Sequence, residues 1–399
     1  MGISFYIGVI ILAGVFVSKI LRKLKFPNVT GYLIAGVLIG HNILNIVPKN
    51  IVDELNIISD VALGFIAFSI GSSFRLVDLK RQGKSTIIIT LMESLVAMLL
   101  VFLAMVFILK EDVAFALMIS SIACATAPAA TLMVIRQYNA KGPLVDTLLP
   151  VVALDDAVSI MAFGISTSVV AAHASGAANL AVMFVEPIIE ILLALGIGSA
   201  FGVLLVLFLK KSKSQGNYIN LQVAMIFICI ALASYLKVSS LLMCMALGAM
   251  VANLMPNPSK CFSMLDQIST PIFLAFFTIS GAALNLEALV SVGAIGLCYL
   301  TVRCLGKWLG GYTSCKLCKK EPQVTKYIGF ALFPQAGVAL GLSLTAANLI
   351  GGEHGAKIRT VILATTVVYE LVGPLLAKFA LKKAGEIKPE TKTREVKTA

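Results

Sequence analysis

Apolar blocks of about 16 to 28 residues follow one another along this chain, parted only by short polar breaks. A helix rises about 1.5 Å per residue, so each block is long enough to cross a hydrocarbon layer roughly 30 Å thick. A soluble fold is excluded, because 59% of the 399 residues are hydrophobic and 13% charged, against roughly 45–50% and 25% in soluble domains. No apolar/polar alternation of the barrel kind runs through the blocks, so they are helices. The chain reads as an all-α polytopic membrane protein.

The candidate spans lie near 3–21, 29–47, 57–74, 86–109, 113–135, 144–171, 180–209, 218–236, 239–254, 269–285, 288–312, 325–350 and 358–381. About thirteen transmembrane helices are thus expected. Lys and Arg gather in alternate connections, roughly 18 on one side against 5 on the other, which places the N-terminus outside and the C-terminus in the cytoplasm. The net charge of +12 is spread over span ends instead of forming one basic face, so it does not point to nucleic acid. The eight Cys are mostly scattered through apolar blocks, and the Cys315/Cys318 pair has neither a second pair nor a nearby His to make a metal site. The first block lacks a basic leader and a cleavage site, so it is read as a retained span. Residues 384–399 form a short, basic and polar tail, expected to be disordered and cytoplasmic.

An internal likeness recurs at a separation of about 210 residues. GFIAFSIGSSF in the third span is echoed by FLAFFTISGAAL in the tenth, and GYLIAGVLIG in the second by LLMCMALGAM in the ninth. Copies seven spans apart must face opposite sides of the membrane. The expectation is an inverted five-helix repeat, about 29–171 and 239–381, of the kind that secondary transporters use.

Within that repeat, spans five and twelve carry matched punctuation: Thr126 and Pro128 in one, Pro334 and Gly337 in the other. Proline removes a backbone donor and clashes with the preceding turn, so both helices are expected to be broken near the midplane, with free carbonyls at the half-helix ends. The helix after the first break carries Asp155 and Asp156. Neighbours on a helix point about 100° apart, so the two carboxylates face different partners. Because a charge in the bilayer centre costs about 2.5 to 3.5 kcal/mol, such residues are candidates for ion or proton binding. Span eleven offers two basic partners on one helix face, Arg303 and Lys307, four residues apart. Either can pair with an aspartate. Glu93 and Glu370 are further intramembrane carboxylates that either line a cavity or balance an internal charge. His41, His173 and His354 are expected in loops or at span ends, without metal-binding spacing.

These residues resemble the cation:proton antiporter superfamily, specifically its second branch, over nearly the whole length. The stretches that carry the likeness are VTGYLIAGVLIG, CATAPAATLMVIRQYNAKGPLVDTLLPVVALDDAVSI, GKWLGG, FPQAGVALGLSL and YELVGPLL. The resemblance implies a mobile core (about 86–171 and 288–381) with two crossed, broken helices, moving against a dimer-forming scaffold (about 3–74 and 180–285), within a homodimer. It also implies that Asp156 binds the cation and that Asp155 pairs with the lysine of the GKxLG stretch, here Lys307. Relatives with an Asp-Asp pair are typically electrogenic sodium/proton exchangers. This chain departs from the usual pattern in having Arg303 one turn before Lys307, so the occupant of the partner position stays open. The first break also reads Thr126-Ala127-Pro128, without the acidic residue some relatives have, and His41 stands where many have proline.

The expected function is exchange of a monovalent cation, sodium or else potassium or lithium, for protons across a bacterial plasma membrane, with no enzyme activity and no cofactor. Thr126 and backbone carbonyls of the break would complete the cation shell. The rivals are a potassium-efflux or channel-like transporter and a sodium-coupled symporter of the same architecture. An intramembrane aspartyl protease is disfavoured, since adjacent aspartates on one helix diverge and cannot clamp a water between them.

Overall fold

The computed structural model describes residues 2–41, 43–72, 74–175, 180–212, 214–284 and 293–387, among which there is no strand. In chain order the helices are α1 Ile3–Lys23, α2 Asn28–Ile39, α3 Lys49–Glu54, α4 Asn56–Gly71, α5 Leu76–Leu103, α6 Val113–Ile122, α7 Pro128–Gln137, α8 Pro143–Ser175, α9 Leu180–Lys211, α10 Gln215–Leu236, α11 Ser240–Leu254, α12 Pro258–Ala283, α13 Gly293–Leu317, α14 Pro322–Ala331, α15 Gly337–Ile350 and α16 Gly352–Lys383. Six of them are long and apolar enough to cross a membrane alone, or seven with the bent α12, and five more are shorter apolar helices.

Local chemistry sets several boundaries. Pro128, Pro258 and Pro322 sit in the first turn of their helices, where a missing N–H costs nothing. The Asp112 carboxylate caps α6 by accepting from Ala114 N at 2.9 Å. The residue before Pro128 is extended (φ −83°, ψ 113°), as a following proline demands, so α6 cannot continue into α7. A second interruption, residues 332–336, divides α14 from α15 around Pro334. Proline does not break every helix: Pro150, Pro271 and Pro374 lie inside α8, α12 and α16. α5 starts at Leu76 instead of near 86, because the polar stretch before the apolar block is itself helical.

Glycine seams draw the helices together. A Cβ on Gly36 of α2 would lie 1.9 Å from Thr278 O of α12, and one on Gly281 of α12 would lie 2.1 Å from Leu33 O of α2. The same crossing recurs between α4 and α11, where Gly71 and Gly248 would meet Met245 O at 2.4 Å and Phe68 O at 2.0 Å. Around these crossings a large apolar cluster gathers Phe65, Phe68, Phe273 and Phe277. A second cluster, with Phe115, Ile119, Tyr299 and Ile362, joins α5, α6, α13, α15 and α16.

The described residues extend past the expected start of the tail at 384. Glu386 folds back so that its carboxylate accepts from Leu144 N at 2.5 Å and Val145 N at 2.9 Å, capping α8. Gly142, at φ +156°, lets it approach: a Cβ there would lie 2.6 Å from Glu386 Cδ. Residues 388–399, the start of the span expected at 288, and the His173 side chain lie outside the described residues.

Candidate functional site

The site begins with a stripe of small residues. Gly306 and Gly310 are one turn apart on α13, and a Cβ on either would lie 2.5 Å from Ala97 Cα or 2.6 Å from Glu93 Cα of α5. With both side chains absent the two backbones touch, the close approach that small-xxx-small spacing permits. Lys307, between the two glycines, is thereby pressed against Glu93. Its Nζ lies 2.8 Å from Glu93 Oε2 and 3.0 Å from Asp155 Oδ2 of α8, and also donates to Cys124 O in the first break. The Ser94 hydroxyl stands between the acids, 3.0 Å from Glu93 Oε1 and in hydrogen-bond contact with Asp155 Oδ1. Glu93, Ser94, Asp155 and Lys307 are all fully buried. One ammonium therefore answers two carboxylates, and the single Ser94 proton serves one of them at a time.

Arg303, one turn earlier, does different work. Its guanidinium donates to Ala123 O at 3.0 Å, Ala125 O at 2.6 Å and Phe333 O at 2.9 Å, and stacks 4.5 Å over the Tyr369 ring. The fixed fork of an arginine suits it to gather carbonyls from both breaks at once. Further bonds join the breaks directly: Ala127 N donates to Pro334 O at 2.9 Å, and Thr126 Oγ1 donates to Leu332 O at 3.4 Å. Gln335 Nε2 donates to Ile122 O at 2.9 Å, and Tyr299 OH donates to Gln335 Oε1 at 3.2 Å.

This arrangement corrects the expectation of free carbonyls at the first break. Those of Ile122, Ala123, Cys124 and Ala125 accept from Gln335, Arg303 and Lys307, because buried carbonyls cut off from a helix ladder need other donors. It also separates the two basic residues that span eleven left interchangeable: Lys307 takes the acids, Arg303 the backbone.

Asp156 is also buried, though differently placed. Its Oδ1 has no hydrogen-bond partner among the described residues, and it lines a pocket of about 10 Å³ with Pro128, Ala153 and Met245. A much larger cavity, about 320 Å³, is walled by Thr126, Pro128, Pro334, Gly337, Asp60 and Glu370. A neighbouring one of about 270 Å³ shares Leu63, Phe276, Gly337 and Glu370 and reaches Ser59 and Leu284, near the start of α4 and the end of α12. The two secondary carboxylates thus part company: Glu93 balances an internal charge and Glu370 lines a cavity. Sequence reasoning missed Ser94, Gln335, Tyr299 and Tyr369; only the GKWLGG spacing hinted that something on α5 must come close.

On this geometry three comparisons bear. The family profile described as sodium/hydrogen exchanger, transmembrane, matches residues 8–383. No curated protein matches the chain significantly. Two structures of the sodium proton antiporter MjNhaP1 from Methanocaldococcus jannaschii are similar in fold, each covering 96% of this chain and 98% of theirs. The one at pH 8 has a TM-score of 0.71 at 19% identity, and the electron-microscopy map 0.75 at 20%.

Proposed function

Because the chain belongs to the sodium/hydrogen exchanger family, whose activity is cation:proton antiport, we propose that its exchange runs through Asp156, with Asp155 as a fixed element beside it. The observation that carries this reading is the unequal partnering of the two neighbours. Asp155 is tied to Lys307 and Ser94, while the Asp156 Oδ1 atom is buried with no partner. A buried, unpartnered carboxylate on a helix beside a break is a place for a monovalent cation or a proton to bind, and not for both together. Exclusive occupancy couples the two fluxes, since only a neutralised site crosses the apolar barrier. Thr126, which lines the large cavity beside Pro128, has a hydroxyl oxygen of the kind hard cations take. Lys307 is held between two acids, Glu93 and Asp155, and Arg303 ties the carbonyls of the two breaks together.

The same reading extends to the architecture. Taking α6 with α7 and α14 with α15 as single crossings, and leaving out the short α3, gives thirteen crossings. The glycine contact of α2 with α12 and its counterpart between α4 and α11 support the inverted repeat, because each pairs one helix of a copy with a helix of the other. The basic face, where α1 and α16 end, is then cytoplasmic, and the two cavities open toward the opposite face. Pairing into a homodimer belongs to this proposal too.

The test is proton flux in proteoliposomes, followed with an internal pH dye as sodium, potassium or lithium is added. Asp156→Asn is expected to abolish cation-evoked proton movement while eluting as a folded protein. Full exchange in that variant overturns the assignment.

A further inference from the structure

We infer that Glu370, with Thr366 one turn before it, forms a second monovalent-cation site in the cavity that Pro128 and Leu241 part from the Asp156 pocket, so that an ion arriving from that face is held there first. The inference rests on the reading of Asp156 as the central site and adds a step to it.

Four observations converge. Glu370 lines both cavities, of about 320 and 270 Å³, each several times the roughly 30 Å³ share of one water. A cation can therefore reach it with part of its hydration shell. Its side chain is only 8% exposed, yet its Oε2 atom has no hydrogen-bond partner, and it forms no ion pair among the described residues. Thr366, four residues earlier and hence on the same face of α16, also lines the second cavity with an unpartnered, buried Oγ1. Asp156, by contrast, lines neither cavity and sits in its own small pocket behind Pro128.

A buried carboxylate with no cation of its own has a coordination shell to fill, and the groups around it are oxygens. Besides Thr366, the cavity walls carry Ser59, Ser280, Thr126 and, at the rim, the exposed Asp60. Hard monovalent cations take such ligands together with water. Glu93 differs, since that acid has its lysine and lines neither of these two cavities. Glu370 is placed to receive a mobile charge and not to neutralise a fixed one.

The test compares Glu370→Gln, Glu370→Asp and Thr366→Val with the unaltered full chain, by sodium-driven exchange in proteoliposomes and by radioactive sodium binding to purified protein. Glu370→Gln is expected to keep exchange, with an apparent KM for sodium raised about tenfold and a maximal rate within about twofold of the original, the pattern of a lost binding step. Glu370→Asp should recover most of the affinity, and Thr366→Val should raise KM less than Glu370→Gln does. In the Asp156→Asn background, residual weak sodium binding should vanish when Glu370→Gln is added. An unchanged KM and unchanged residual binding would make Glu370 a protonated spectator and overturn the inference. So would complete loss of exchange in a folded Glu370→Gln protein, which would move Glu370 into the central step. If Glu370→Gln fails to fold, unchanged KM in both other variants overturns the inference equally. Exchange surviving in Asp156→Asn would instead sink the central-site reading, whatever Glu370 does.

Discussion

Lys307 and Glu370 mark two regions of the same membrane interior that handle charge in opposite ways. Around Lys307 the charges lie at contact distance, closed in by a glycine seam and out of reach of either large cavity. Around Glu370 there is open volume and an acid without a partner. The cost of burying a charge is met in the first region by other charges fixed in the fold. In the second it is left to something that comes and goes. The difference suggests how to sort intramembrane carboxylates: by what stands opposite them, not by depth.

The comparison breaks most visibly at Lys307. Lys307→Ala leaves Glu93 and Asp155 facing each other without a cation, and truncating one partner of a buried ion pair costs about 3–5 kcal/mol. The expected outcome is a large fall in the thermal unfolding midpoint in detergent, together with loss of exchange. A smaller break comes from Gly310→Ala, which adds a methyl where Glu93 Cα would be 2.6 Å away. Overpacking of this kind costs about 1–3 kcal/mol and should weaken the Lys307–Glu93 pair without touching a charge.

Glu386 sharpens the contrast as a carboxylate held by backbone donors. Burial pushes its carboxyl up and the amides of Leu144 and Val145 pull it down, while Asp146 and Glu321 add to the rise, leaving it above the usual carboxylate range. A raised value in the folded chain means that the proton-linked stability is complete below the ordinary range and is lost as pH rises through the raised value. Glu386→Gln should therefore flatten this part of the pH dependence of the unfolding midpoint, and should cost about 1 kcal/mol for the altered cap. The smallest effect is expected at Glu370, where Glu370→Gln removes an unpaired charge from a cavity wall and should change stability by no more than about 0.5 kcal/mol. A large loss there would mean that Glu370 has a structural partner.

Much of this was legible in the residues, and the illegible part has two physical causes. Proline chemistry located both breaks, and adjacent aspartates in an apolar block pointed to two carboxylates that are indeed buried, one of them paired with Lys307. What a spacing along one helix cannot tell is what stands across from it. Arg303 and Lys307 share a face of α13, and their roles separate only because α5 brings Glu93 to one and the breaks bring carbonyls to the other. Ser94 carries no signal in sequence beyond lying next to Glu93. Glu386 was hidden for another reason: it stands in a polar stretch whose composition reads as tail, and its partners are amides more than 240 residues away.

That last contact bears on how the protein can be cut and tagged. The turn after α16 is the N-terminal cap of the helix that carries Asp155 and Asp156. A chain shortened to Lys383 would leave the amides of Leu144 and Val145 bare and fray α8 at its first turn. An affinity handle or fluorescent fusion joined directly at residue 384 would do the same. A handle joined beyond Ile387 leaves the Glu386 cap itself in place.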